Sequence, residues 1–180
     1  MRHFPLTIML FCIGTSAYAQ DIRWKLETFK SGDYVSIDQS QNGLIHHVFR
    51  GKVGPSFVLE SFSGPAPQGT PVFTTYLDRD GNHVRWVRKD GFEVAYTPHD
   101  CSRTQGRCQY TSIDTEGKRE VRLRITKPTR KGFAFDEYDA DGKRLSGGRF
   151  ALDGRGTAGN GTITGNRGTN RYRLIRQVYQ

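Results

Sequence analysis

The chain has 180 residues, 27 Lys+Arg against 18 Asp+Glu for a formal charge of +9, and a mean hydropathy of −0.64. Its 21 glycines exclude a coiled coil, its length excludes a two-domain α/β enzyme, and its hydropathy excludes a polytopic membrane protein. With 12% aromatic residues and few aliphatic ones, the composition points to a folded β domain with a thin, aromatic-rich core.

Residues 1–19 read as an export signal. Arg2 and His3 form a short cationic start, Phe4 to Gly14 an apolar run, and Ala17-Tyr18-Ala19 the small-x-small pattern of a cleavage site. The run is too short to span a bilayer, which needs about 20 residues, and no second run follows, so no transmembrane anchor is expected. The mature chain is placed in the periplasm or the secreted fraction, as one all-β domain over residues 20–180.

From Ile22 onward the dominant period is two. Ile22, Leu26 and Phe29 have helical spacing, but Ile22, Trp24 and Leu26 also alternate, and the reading favours a strand over 22–30. Further strands are expected near 33–38, 44–50, 56–62, 71–78, 83–88, 92–97, 108–114, 119–126 and 132–138, with one or two more in 143–152 and 171–178. The turns between them are acid–Gly or Asn–Gly pairs: Asn42-Gly43, Asp80-Gly81, Asp90-Gly91, Glu116-Gly117, Asp141-Gly142 and Asp153-Gly154. Ser63 to Pro71, with three prolines, is the long loop. The glycine-rich segment 142–168 is either a mobile loop or a strand pair with tight bends. Consecutive short hairpins close most economically into an up-and-down antiparallel barrel, closed or partly open, with a β-sandwich as the alternative.

Cleavage would remove Cys12 and leave Cys101 and Cys108. An even pair in an oxidising compartment, separated by a polar stretch and flanked by strands, is expected to form a disulfide at the base of a hairpin loop. So short a ring is worth about 2–3 kcal/mol by loop entropy.

No catalytic constellation emerges. Gly154-Arg-Gly156-Thr-Ala-Gly159 matches G-x-G-x-x-G by letter, but no helix starts there to meet a pyrophosphate, so no nucleotide cofactor is expected. The pairs Asp78/Asp80 and Asp139/Asp141 lack the spacing of a calcium loop, and adjacent His46 and His47 point to opposite faces of a strand, so no metal is expected. Asp136 and Glu137 also face opposite ways. An enzyme would require His46 or His47 to meet a carboxylate in a cleft. A first-strand G-x-W, the mark of a lipocalin, is absent, since Ile22-Arg23 precedes Trp24.

The most informative surface feature is arginine. In Lys118 to Thr126, apolar Val121, Leu123 and Ile125 alternate with Glu120, Arg122 and Arg124, which reads as a half-buried strand with its arginines outward. Arg122 and Arg124, supported by Arg85 and Arg173, are the expected binding residues of a cationic sheet face. Its partner would be anionic: a lipid headgroup, an acidic polysaccharide or an acidic protein surface. The alternative is a barrel carrier that encloses a small apolar ligand among aromatics such as Trp86, Phe133 and Phe135.

Overall fold

A computed structural model describes residues 21–180; the expected export segment lies outside the described residues. Twelve strands follow one another: β1 (Tyr34–Gln39), β2 (Gly43–Val53), β3 (Ser56–Ser63), β4 (Phe73–Leu77), β5 (His83–Arg88) and β6 (Glu93–Thr97), then β7 (Gly106–Asp114), β8 (Arg119–Thr129), β9 (Gly132–Tyr138), β10 (Arg144–Leu152), β11 (Ala158–Gly165) and β12 (Gly168–Val178). Every strand pairs antiparallel with its sequence neighbours. β1 then pairs with β12, Tyr34 opposite Val178 and Gln39 opposite Tyr172, which closes an up-and-down barrel. Closure removes every sheet edge. Among the described residues, no helix is long and apolar enough to cross a membrane.

Two elements depart from the sequence expectation or resolve it. The segment 22–30 is not a strand: Leu26–Thr28 form a single 3₁₀ turn, and the helical spacing of Ile22, Leu26 and Phe29 wins because those three side chains are buried. The glycine-rich stretch is the strand pair β10–β11. Glycine is needed there because rings lie flat on the wall: a Cβ at Gly161 would come within 2.4 Å of the Phe150 ring.

Alternating strand direction gives the barrel two unlike ends. The turns at 53–56, 77–83, 97–106, 129–132 and 152–158 gather at one end, here the floor; those at 39–43, 63–73, 88–93, 114–119, 138–144 and 165–168 form the mouth. The segment 22–29 plugs the floor. Trp24 N–H donates to Asp80 O at 2.9 Å and Lys25 N–H to Arg155 O at 2.9 Å, tying the plug to two floor turns. Both turns carry a positive-φ glycine against it. A Cβ at Gly81 would meet Trp24 Cβ at 2.6 Å, and one at Gly156 would meet Arg23 O at 2.1 Å.

The hydrophobic core belongs to this plug. Leu26 and Phe29 pack with Phe49, Phe57, Leu59 and Leu77, while Ile22 packs with Phe133 and Phe135. Small barrels of about eight strands are filled by their own side chains, and twelve strands enclose more than side chains can fill. The apolar residues therefore concentrate at one end and leave a lumen above them.

Leu26→Ala removes a fully buried side chain from the centre of the plug and is expected to cost about 2–5 kcal/mol. Urea denaturation followed by tryptophan fluorescence measures it; a loss under about 1 kcal/mol would mean the plug contributes little to the fold.

Candidate functional site: the barrel lumen

The lumen is a cavity of about 790 Å³ that opens at the mouth, where Gln39, Asp114 and the exposed Lys118 line it. Its two walls differ. Strands β1–β6 contribute Ile37, Leu59, Phe73, Thr75, Trp86 and Val94, and Phe150 and Tyr172 close the far side. Strands β7–β9 contribute charge.

The arginines of β8 lie on this second wall, which corrects the expectation of an outward cationic face. Val121 points out and is 40% exposed, whereas Arg122 and Arg124 line the lumen. The period of two holds but the inward face is the opposite one, because an unfilled lumen accepts polar side chains and an apolar stripe no longer marks the inside. Arg85 and Arg173 do point outward, where Arg85 pairs with Glu93 at 3.2 Å and Arg173, 72% exposed, with Asp38 at 2.9 Å. The four predicted binding residues do not form one face.

Down β8 the inward positions make a ladder of alternating charge. Lys118 Nζ lies 2.7 Å from Glu120, Glu120 pairs with Arg122, and Arg122 Nη1 donates to Glu137 Oε2 on β9 at 3.3 Å. Tyr110 on β7 donates its hydroxyl to Glu137 Oε1 at 2.6 Å. Hydrogen bonds from Lys118 and Arg122 hold the Glu120 carboxyl down at about 2; burial and the Glu137 charge push the Tyr110 phenol above its usual range. Arg124 ends the ladder. Its guanidinium lies 3.7 Å from the centre of the Phe135 ring, and its Nη1 is 3.7 Å from Glu137, beyond hydrogen-bond distance.

At the floor the Cys101–Cys108 disulfide, formed as expected with Cα atoms 6.0 Å apart, carries a loop that sends two charged residues inward. Asp100 Oδ1 accepts the backbone N–H of His83 at 2.8 Å and of Ser102 at 3.0 Å, and Oδ2 pairs with His83 Nδ1. Burial opposes its charge, but His83 and these hydrogen bonds hold the carboxyl below its usual range. A carboxylate only accepts, so His83 Nδ1 carries the proton and Nε2 is the ring's remaining position. Arg103 is buried between the Trp24 ring at 5.5 Å and the Phe133 ring at 5.3 Å, and its Nη1 donates to Ile22 O at 3.1 Å. Burial and the neighbouring Arg124 draw its guanidinium down to about 10.

The other chemistry-bearing residues are spent on structure. His46 bridges Ser36 and Gly64 O, and His47 Nδ1 meets Ser61 Oγ at 2.8 Å, so neither reaches a carboxylate. His99 lies near Cys101 and Cys108, but both sulfurs are in the disulfide and offer no thiolate to a metal. Of the expected aromatics, Trp86 lines the lumen, while Phe133 and Phe135 belong to the floor cluster.

Sequence reasoning missed His83–Asp100, Arg103, Glu137, Tyr110 and Trp24 as lumen residues. One signal was available: Lys118, Glu120 and Arg122 alternate in sign at a spacing of two, a pattern a solvated face does not require. Nothing in the loop sequence marks Arg103. No family model, curated protein or solved structure matches this chain.

His47 lines the lumen, and burial, then the charges of His83 and His46, push its imidazole down to about 4. An unfolded histidine takes up its proton near pH 6.5. Its contribution is therefore complete above about pH 6.5 and declines as pH falls toward 4, by on the order of 1–3 kcal/mol. Denaturation at pH 7 and pH 4.5 is expected to show this loss in the wild type and a smaller one in His47→Gln; equal losses would remove His47 as the cause.

Proposed function

We propose that this protein is an exported, non-catalytic binding protein that holds one amphipathic, acid-bearing small molecule inside its barrel. The observation that carries the reading is the two-sided lumen: an apolar wall facing a charged one, open at the mouth and plugged at the floor. Its 790 Å³ falls within the roughly 300–1,000 Å³ of small-molecule pockets, and mostly apolar lining with a few convergent polar groups is their usual composition.

This reading keeps the anionic partner and moves it from the surface to the interior. Outside, Arg85 and Arg173 are matched to Glu93 and Asp38, and exposed pairs of this kind are screened by salt. Inside, charges act through less water, so they discriminate a ligand more strongly. It also merges the two sequence expectations, since the ligand has both an apolar body for Trp86 and Phe73 and an acidic group for the β8 arginines. His83–Asp100 supplies an imidazole, yet neither a nucleophile nor an arranged second acid stands beside it in a described hydrogen bond, which favours binding over turnover.

Isothermal titration with decanoate, a small amphipathic acid, is the test. One site per chain is expected. Trp86→Ala removes part of the apolar wall and is expected to weaken binding about tenfold or more, while outward Arg173→Gln leaves it unchanged. Absence of binding at millimolar decanoate, or an effect of Arg173→Gln equal to that of Trp86→Ala, would overturn the reading.

A further inference from the structure

The hydrogen bonds of the charged wall and floor are not evenly shared. Lys118 and Arg122 are answered by Glu120 and Glu137 through direct contacts. Asp114, at the mouth, accepts the backbone N–H groups of Glu116 and Lys118 in its own turn. Deeper in, Arg124 pairs with Glu137 only at 3.7 Å, a carboxylate that already accepts from Tyr110 and Arg122, and Asp100 already accepts from His83 and two backbone N–H groups. Asp153, the other carboxylate near Arg103, is engaged by Gln177 and by the N–H groups of Arg155 and Thr157. Arg124 is thus left at the bottom of the lumen with its paired carboxylate, Glu137, 3.7 Å away and beyond hydrogen-bond distance.

Donors are left over there too. Arg124 Nε is buried with no acceptor among the described residues, and so is the indole Nε1 of Trp24. Both residues line the lumen, and Arg124 is only 11% exposed at its side chain. A buried donor without a partner costs about 1–3 kcal/mol, more when charged. Two at the end of one cavity are costs that a bound anion would remove.

From this geometry we infer that the floor is a carboxylate-binding subsite formed by Arg124, Trp24 and Arg103, which the ligand enters acid first. The apolar body then lies toward the mouth against Trp86 and Phe73. The planar guanidinium of Arg124, braced on Phe135, suits the two coplanar oxygens of a carboxylate. Arg122, although first among the candidates by sequence, is already held by Glu120 and Glu137 and is not the acid's partner.

The inference rests on lumen binding and is tested by comparing decanoate with decan-1-ol, which has the same chain and no charge. The wild type is expected to bind decanoate at least about tenfold more tightly. Arg124→Met should erase that preference and leave decanol affinity unchanged. Trp24→Phe, which keeps a ring and loses the N–H, should reduce decanoate binding severalfold and decanol binding not at all. With carboxyl-labelled [13C]decanoate bound to the wild type, the carboxyl resonance should stay that of the ionised form about one pH unit or more below the free acid. Equal affinity for decanoate and decanol would overturn the floor site while sparing lumen binding. A preference lost in Arg122→Met but kept in Arg124→Met would place the acid higher in the barrel and also overturn it. Binding of neither compound would sink the carrier reading itself.

Discussion

The fold depends on a plug. Twelve strands closed antiparallel enclose a channel that their inward side chains do not fill, and such a channel has no core of its own. The segment 22–29 supplies one at a single end. Ile22 and Leu26, almost fully buried, enter two separate aromatic clusters, so one short turn of chain organises the apolar packing on both sides of the floor. Burial of each is worth about 1.5–3 kcal/mol. The upper lumen need not be filled by apolar side chains, and it is free to carry charge.

That freedom explains why the lumen is built as it is. Buried ion pairs seldom repay their desolvation, and apolar residues of similar volume often hold a fold as well or better. A ladder running Lys118, Glu120, Arg122, Glu137 is therefore poor evidence of stabilisation. Its value lies in geometry: each member fixes the rotamer of the next, and the stack ends at Arg124, whose place is set by the Phe135 ring instead of by a carboxylate. The wall holds its last guanidinium in position and leaves its Nε without an acceptor among the described residues.

The barrel, its meander and most strand positions were legible because hairpin turns and period-two alternation are local. Asn42-Gly43 and Asp141-Gly142 mark turns wherever they occur, and Cys101 and Cys108 are an even pair whatever the fold. Which face of a strand points inward is not local. Val121, Leu123 and Ile125 against Arg122 and Arg124 gives the same pattern for either hand, and the choice falls to barrel width, which depends on all twelve strands. The plug was half legible: Ile22, Leu26 and Phe29 carry helical spacing, but only the glycines at 81 and 156, far along the chain, create the space that makes a turn there preferable to a thirteenth strand.

The disulfide loop shows how closely site and staple are linked. The ring it closes carries Arg103 to the floor, and Asp100 immediately precedes its first cysteine. Asn82 accepts the backbone N–H of Arg103 at 2.6 Å, Asp78 accepts from Asn82 at 2.9 Å, and Arg103 reaches the carbonyl of Ile22 in the plug. Plug, turn and loop are thus one hydrogen-bonded unit, none of it regular strand. A lumen floor made of irregular segments would ordinarily be the least rigid part of a barrel. Here a covalent ring closes one segment and two aromatic rings sandwich its arginine.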